Sequence, residues 1–135
     1  MRRLSDVREC LKVTTQYPDY FTFDAEAWFS KEENYALIED DNIAFAEYKS
    51  PGVYWVHFCY GSARGRKAIE LTKKIALEFF RLKEVSVVIG LIELKNKKAR
   101  WLIRQVGFSS LGEIDTKNGL CKMFILTKEA VNGIF

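Results

Sequence analysis

His57 is the single histidine of the chain and the one side chain whose ordinary pKa lets it exchange a proton close to neutrality. Beside an amine it could take up a proton directly or through a water. Its segment runs Val53-Tyr54-Trp55-Val56-His57-Phe58-Cys59-Tyr60, and the alternating aromatic and aliphatic neighbours equally suit a packed, structural histidine. Glu93 follows the apolar run Val85–Ile92 and is a second candidate base, because ligands of α/β sheets gather at the carboxyl ends of strands. A glutamate three residues before Asn96 equally suits the entry of a helix. Cys59 reads as a buried structural thiol, since nothing beside it in the sequence lowers its pKa. Tyr60 is either a phenol donor or a shield for the loop after it.

Next comes Arg64-Gly65-Arg66-Lys67-Ala68, which runs from a strand end into a helix start, where free backbone amides hold anions. Three cations at a helix end that already carries partial positive charge are an unfavourable start, which a bound phosphate relieves. About thirty residues on stands Asn96-x-x-Ala99-x7-Gly107-Phe108, a helix opened by Asn and closed by Gly-Phe directly after an apolar strand. Two such strand-to-helix units in this order imply a binding cleft between neighbouring parallel strands.

The elements that position these residues follow from hydrophobic period. Ser5 is placed to cap a helix over Asp6–Val13, with Val7, Cys10 and Leu11 on its apolar side. A second short helix is expected over Asp24–Phe29, with Ala25, Trp28 and Phe29 turned inward. Tyr35–Glu39, Ile43–Tyr48 and Val53–Tyr60 read as an antiparallel meander with turns at Asp40-Asp41-Asn42 and Ser50-Pro51-Gly52. From Arg64 to Leu82 the apolar residues recur at three or four, a helix with one buried stripe. Val85–Ile92 reads as a central strand covered on both faces, and Lys95–Val106 as a helix. A hairpin follows over Leu111–Asp115 and Leu120–Thr127 around Asn118-Gly119, and the chain is expected to finish on that strand. Because a helix joins Val53–Tyr60 to Val85–Ile92, the two strands must lie parallel through a right-handed crossover. The fold class is α/β with a mixed sheet, in one domain over 1–135.

Composition narrows the partners. The segment from Arg64 to Arg104 holds twelve Lys or Arg and four Glu, net +8, against nine basic and fourteen acidic residues elsewhere, net −5. A cationic half suits an anionic ligand such as a phosphorylated cofactor, although most of these lysines also suit the wet faces of two helices. Nucleic acid ranks lowest, because no groove-reading motif or aromatic platform accompanies the charge. No apolar run reaches the roughly 18 residues that cross a bilayer, and the basic start Met1-Arg2-Arg3 leads into no signal-like stretch. Cys10, Cys59 and Cys121 are odd in number and widely spaced, so reduced thiols, a cytoplasmic setting and no metal centre are expected.

The element order and the two motifs resemble the GNAT superfamily of acyl-CoA N-acyltransferases, from about Tyr35 onward. The resemblance implies that Val53–Tyr60 splays from Val85–Ile92 and that the pantetheine arm of acetyl-CoA or CoA lies in the resulting V. It further implies that Arg64, Gly65, Arg66, Lys67 and Ala68 hold the pyrophosphate, that Asn96 contacts the cofactor arm and that Phe108 closes the core below. An amine acceptor, its identity open, would be lined by the N-terminal half, including Trp28, Phe29 and Tyr35. Three positions depart from the family pattern. Lys67 and Ile69 replace loop glycines, and Ile103 occupies the frequent general-acid tyrosine position. Such loops are similar to those of small GNAT-like proteins of tailed bacteriophages, some of them head or virion assembly factors. The alternative implied is a non-catalytic assembly protein, partnered with phage structural proteins, that retains the fold.

Overall fold

The computed structural model of the protein describes residues 1–14, 24–82, 84–117 and 119–134. In chain order the elements are β1 (Arg2–Arg3), α1 (Val7–Thr14), α2 (Ala25–Ser30), β2 (Tyr35–Glu39), β3 (Asn42–Ser50), β4 (Val53–Tyr60) and α3 (Gly65–Phe80). There follow β5 (Val87–Glu93), α4 (Lys97–Val106), β6 (Ser109–Thr116), β7 (Gly119–Thr127) and α5 (Lys128–Ile134). The seven strands form one mixed sheet in the order β1-β2-β3-β4-β5-β7-β6. The β4–β5 pair, joined through α3, is its one parallel neighbour pair.

Local chemistry sets the element ends. The Asp24 carboxylate accepts from the amides of Glu26 and Ala27 and starts α2. Asn96 Oδ1 accepts from Ala99 N at 3.1 Å, and Gly107 closes α4 at φ 113°, a conformation that glycine adopts without a Cβ clash. Asn96-x-x-Ala99…Gly107 is therefore a pair of helix caps as it stands. At the other end of the sheet, Gly52 O accepts from both Ser86 N and Val87 N at 2.9 Å, which ties the β3–β4 turn to the start of β5.

Several expectations are corrected. Asp6, not Ser5, meets the first free amide of α1, accepting from Arg8 N at 2.8 Å, and Leu11 is 43% exposed rather than apolar-side core. Ala25 and Cys10 lie on described backbone, but their side chains are outside the described set. The chain does not finish on a strand: Thr127 Oγ1 accepts from Ala130 N and α5 follows, with Val131 buried. The two-residue strand β1, which pairs Arg2 with Ile38, carries no sequence signal of its own. Central strand β5 is covered unevenly, since Val88 and Gly90 are buried while Val87, Ile89 and Leu91 are half-buried.

That asymmetry follows from two cores on opposite faces of the sheet. Helices α3, α4 and α5 cover one face, where Phe79, Ile75, Val106, Phe124 and Leu126 pack together. The smaller cluster of Leu4, Trp28, Ile43, Phe45 and Cys59 covers β2–β4 beneath α2. Each such side chain contributes about 1.5–3 kcal/mol on full burial. Strand β4 is thus gripped on both faces, while β5 is gripped mainly on one.

Candidate active site

Strands β4 and β5 pair over three residues only: Val53 with Val87, Tyr54 with Val88 and Trp55 with Ile89. Beyond that point each remains laddered to its other neighbour. β4 follows β3 as far as Tyr60 opposite Asn42, and β5 follows β7 as far as Glu93 opposite Cys121. Two independent ladders therefore hold the lips of a wedge apart along residues 56–60 and 90–93. The expected splay is present, and its open end leads into the α3 start.

The lead-in loop is clamped by residues that the sequence pattern marks only as a turn. Asp41 Oδ1 accepts from Ser62 N at 3.0 Å and from Ser62 Oγ at 2.6 Å, and Asn42 Oδ1 accepts from Ala63 N at 3.1 Å. Gly61 N donates to Asp41 O at 3.2 Å. The Ser62 hydrogen bonds come first in holding the Asp41 carboxyl below its ordinary range, and the Arg64 charge adds to them. No single-strand signal could reveal this clamp, because its halves lie about twenty residues apart and meet only across the β3–β4 ladder.

The clamp delivers α3 with its first turn free. Arg64, the N-cap residue, places no side chain on the helix amides; its Nη1 instead donates back to Ala63 O at 2.8 Å and Tyr60 O at 3.4 Å. Gly65 has φ 57° and a Cβ built on it meets nothing within 4 Å, so a ligand can approach the backbone closely. Lys67 is exposed and borders a cavity of about 410 Å³, whose rim also carries Glu39, Glu70 and Lys74. Arg66 is exposed and pairs loosely with Glu70 at 4.0 Å. Ala68 and Ile69 turn toward the core. Uncapped amides, an open glycine and a neighbouring lysine fit a pyrophosphate; Arg64 serves the loop itself.

His57 and Glu93 fall on opposite lips of the wedge. Trp55 and Ile89 are registered neighbours, so alternation puts Trp55, His57 and Cys59 on the same sheet face as Ile89, Leu91 and Glu93. This is the α2 face. His57 borders a second cavity, of about 420 Å³, with Trp28, Glu47, Lys49 and Trp55. His57 is exposed on its strand, and the partial desolvation it meets beside the cavity wall lowers its imidazole from the ordinary value, opposed by Glu47 and assisted by Lys49. A neutral imidazole at neutral pH is the form that accepts a proton. Glu93 Oε2 is paired with Lys95 Nζ at 3.2 Å, and its carbonyl accepts from Asn96 N, so its strongest contacts are those of a helix entry.

The remaining candidates make contacts within the fold. Asn96 Oδ1 is used by its helix. Cys59 is buried, and burial pushes its thiol up. The Tyr60 hydroxyl and Thr72 Oγ1 are 2.7 Å apart, and burial raises the phenol far above neutrality. Ile103 is in the core. Of the three aromatic residues expected beside an acceptor, Trp28 reaches the His57 cavity, whereas Tyr35 packs on Phe79 across the sheet. Among the described residues no helix is long and apolar enough to cross a membrane, and no three His, Cys, Asp or Glu side chains gather as a metal site.

A mixed sheet with one parted parallel pair, an uncapped crossover helix at its mouth and a short helix on the opposite face constitutes the GNAT fold. Solved acetyltransferases share it over nearly their whole length. Aminoglycoside acetyltransferase AAC(6')-Ib in complex with coenzyme A superposes with a TM-score of 0.76 at 14% identity, over 98% of this chain and 96% of that one. The same enzyme with coenzyme A and kanamycin gives 0.75 at 13% identity, over 98% and 96%. A chimera of spermidine N-acetyltransferase SpeG from Vibrio cholerae and hSSAT gives 0.77 at 14% identity, over 98% of each chain. No protein-family model matches the sequence, and no curated protein does.

Proposed function

We propose that the protein binds acetyl-CoA or CoA in the β4–β5 wedge and transfers the acyl group to an amine. The observation that carries this is the end of the β4–β5 ladder at Trp55 and Ile89, with both outer ladders continuing and the uncapped α3 start at the open end. Similarity to acetyltransferases solved with coenzyme A supports the reading. When bound, an acyl thioester supplies a carbonyl open to direct attack by nitrogen. The chain's own residues do the rest. The first-turn amides of α3, Gly65 and Lys67 hold the pyrophosphate, and unpaired strand backbone along 56–60 holds the arm. As the C–N bond forms and the C–S bond breaks, His57 takes the proton lost by the amine, and that proton can neutralise the thiolate of the leaving CoA.

Thermal denaturation with CoA, acetyl-CoA and an unrelated dinucleotide tests the first half, and thiol release with a panel of amines tests the second. Stabilisation of about 2.7 kcal/mol is expected at a hundredfold excess over Kd. No response to either CoA compound removes the proposal. A second reading keeps the fold without the reaction. Ile103 is 3% exposed, and the Tyr60 hydroxyl is committed to Thr72, so neither offers a proton to a leaving thiolate. A part in bacteriophage head or virion assembly belongs to this second reading. Stabilisation by CoA without thiol release from any amine favours it.

The pH dependence has a definite sign. The folded pKa of His57 lies below its ordinary 6.5. Activity that needs the neutral ring should therefore persist at pH 6.5 and fall on a limb further to the acid side. Stability behaves likewise. The contribution of this ring is complete above 6.5 and is lost as pH drops toward the folded pKa, because there the unfolded chain takes a proton that the native ring does not, and it is small because the ring is exposed. His57→Gln should remove the acid limb of thiol release and lower its rate by roughly 10²–10⁴-fold. An unchanged rate would exclude His57 as the base.

A further inference from the structure

Across the hairpin from the wedge, β3 and β4 bring an acidic side chain and an aromatic ring together on the α2 face. Glu47 is registered directly opposite Trp55. The register then slips between Tyr48 and Ser50, which leaves Lys49 without an opposite partner, and such bulges re-aim the side chains they carry. The Lys49 ammonium comes to rest 2.8 Å from Glu47 Oε1 and 4.6 Å from the centroid of the Trp55 ring. All three border the cavity of about 420 Å³ that also holds His57.

A carboxylate on one side and an indole face on the other is a complete receptor for a primary ammonium: Coulomb attraction and a directed hydrogen bond come from Glu47, and quadrupole attraction comes from Trp55. The structure displays that receptor with an ammonium in it, supplied by the chain itself. Lys49 is a loosely held tenant. Its side chain is 37% exposed on a flexible four-carbon stem, and an exposed ion pair of this kind is weak. An amine arriving from solution competes for the same two partners and, once there, stands beside the last β4 residue paired with β5, two positions from His57.

We propose that Glu47 and Trp55 form the binding site for a primary alkylammonium ligand, and that Lys49 is its built-in surrogate, displaced when the ligand enters. The ligand class is a cationic primary amine with a short alkyl chain that fits between Trp55 and α2. That this amine is the acyl acceptor rests on the function proposed above; the ammonium site itself does not.

The test uses the full chain without CoA and titrates n-pentylamine, with pentan-1-ol as the uncharged control of equal length. The readout is the Trp55 indole N–H cross-peak, assigned by its loss in Trp55→Phe. Lys49→Ala should bind n-pentylamine at least tenfold tighter than the parent, because the intramolecular competitor is gone. Adding Glu47→Gln to Lys49→Ala should return the affinity to the parent level or below, and pentan-1-ol should move the peak in neither. Lys49→Gln repeats the measurement if Lys49→Ala unfolds. Equal affinity in parent and Lys49 variants overturns the proposal, as does equal response to pentan-1-ol. Amine binding without any CoA response would leave this site standing and remove the transferase reading; CoA binding without amine binding would do the reverse.

Discussion

Gly90→Val should abolish stabilisation by CoA while leaving the melting temperature of the free protein within roughly 4 °C of the parent. Gly90 is the first β5 residue past the end of the parallel ladder, and its counterpart on β4 is Val56. A Cβ at this position would lie 3.9 Å from Val56 Cγ2, an ordinary van der Waals distance, so the first carbon costs nothing in strain. Its backbone is not in the left-handed region, and a β-branched residue suits a strand better than glycine does. Alternation puts the side chain on the helix-covered face with Val56 and Val88, so the two γ-methyls should crowd that side of the wedge, where a pantetheine arm would thread. Gly90→Ala, which stops at contact distance, should retain part of the CoA response. Differential scanning calorimetry with and without CoA reads both effects in one experiment. If Gly90→Val responds to CoA as the parent does, the wedge is not where the ligand binds.

Much of this arrangement is legible before any coordinates. Strands β2 and β4 begin and end where alternation places them, β6 and β7 pair as the expected hairpin with Thr116 opposite Gly119, and the period change after Arg64 marks the crossover helix that forces β4 and β5 parallel. The parting of those strands is different. Nothing in the local pattern of Val53–Tyr60 or Val87–Glu93 distinguishes a laddered pair from a splayed one, because pairing depends on what the outer neighbours β3 and β7 impose. That expectation came from resemblance, and the structure bears it out. Single-residue roles are least legible where one side chain can satisfy either a helix or a ligand. Asn96 and Glu93 have spacing that suits cofactor contact or catalysis and that equally suits a helix entry, and helix entry is what their contacts show. The Glu47–Lys49–Trp55 group is not legible from sequence. Counting back from the Pro51-Gly52 turn, with Ser50 opposite Val53, puts Glu47 opposite Val56, and only the bulge between Tyr48 and Ser50 brings it opposite Trp55 and carries Lys49 over the ring.

The β2–β3 turn should control CoA affinity from outside the ligand site, and Gly61→Ala should show the largest loss. A Cβ on Gly61 would come within 2.9 Å of Asp41 O and collide with the Asp41 carboxylate. The carboxylate cannot simply swing away, since Ser62 N and Ser62 Oγ both hold it. The backbone oxygen has no rotamer at all. The loop must therefore shift, and α3 starts four residues later with the amides that the wedge ligand needs. A displacement of about 1 Å in such a positioning element can cost on the order of a hundredfold. Asn42→Ala attacks the same joint without adding bulk: Asn42 is 5% exposed, and its loss leaves the buried Ala63 amide without its acceptor, at a cost of about 1–3 kcal/mol. Asp41 gives the joint a pH dependence. Its folded pKa is depressed, so the carboxylate's contribution is complete above its ordinary range and is lost as pH falls through the folded value. Isothermal titration with CoA should show Gly61→Ala weakened most, Asn42→Ala less and Asp41→Asn least, with far-ultraviolet circular dichroism of the parent retained in the last two. Were Gly61→Ala to bind CoA with parental affinity, the turn would be a hairpin end only, and the position of α3 would be set by its packing on the sheet rather than by the Asp41–Asn42 clamp.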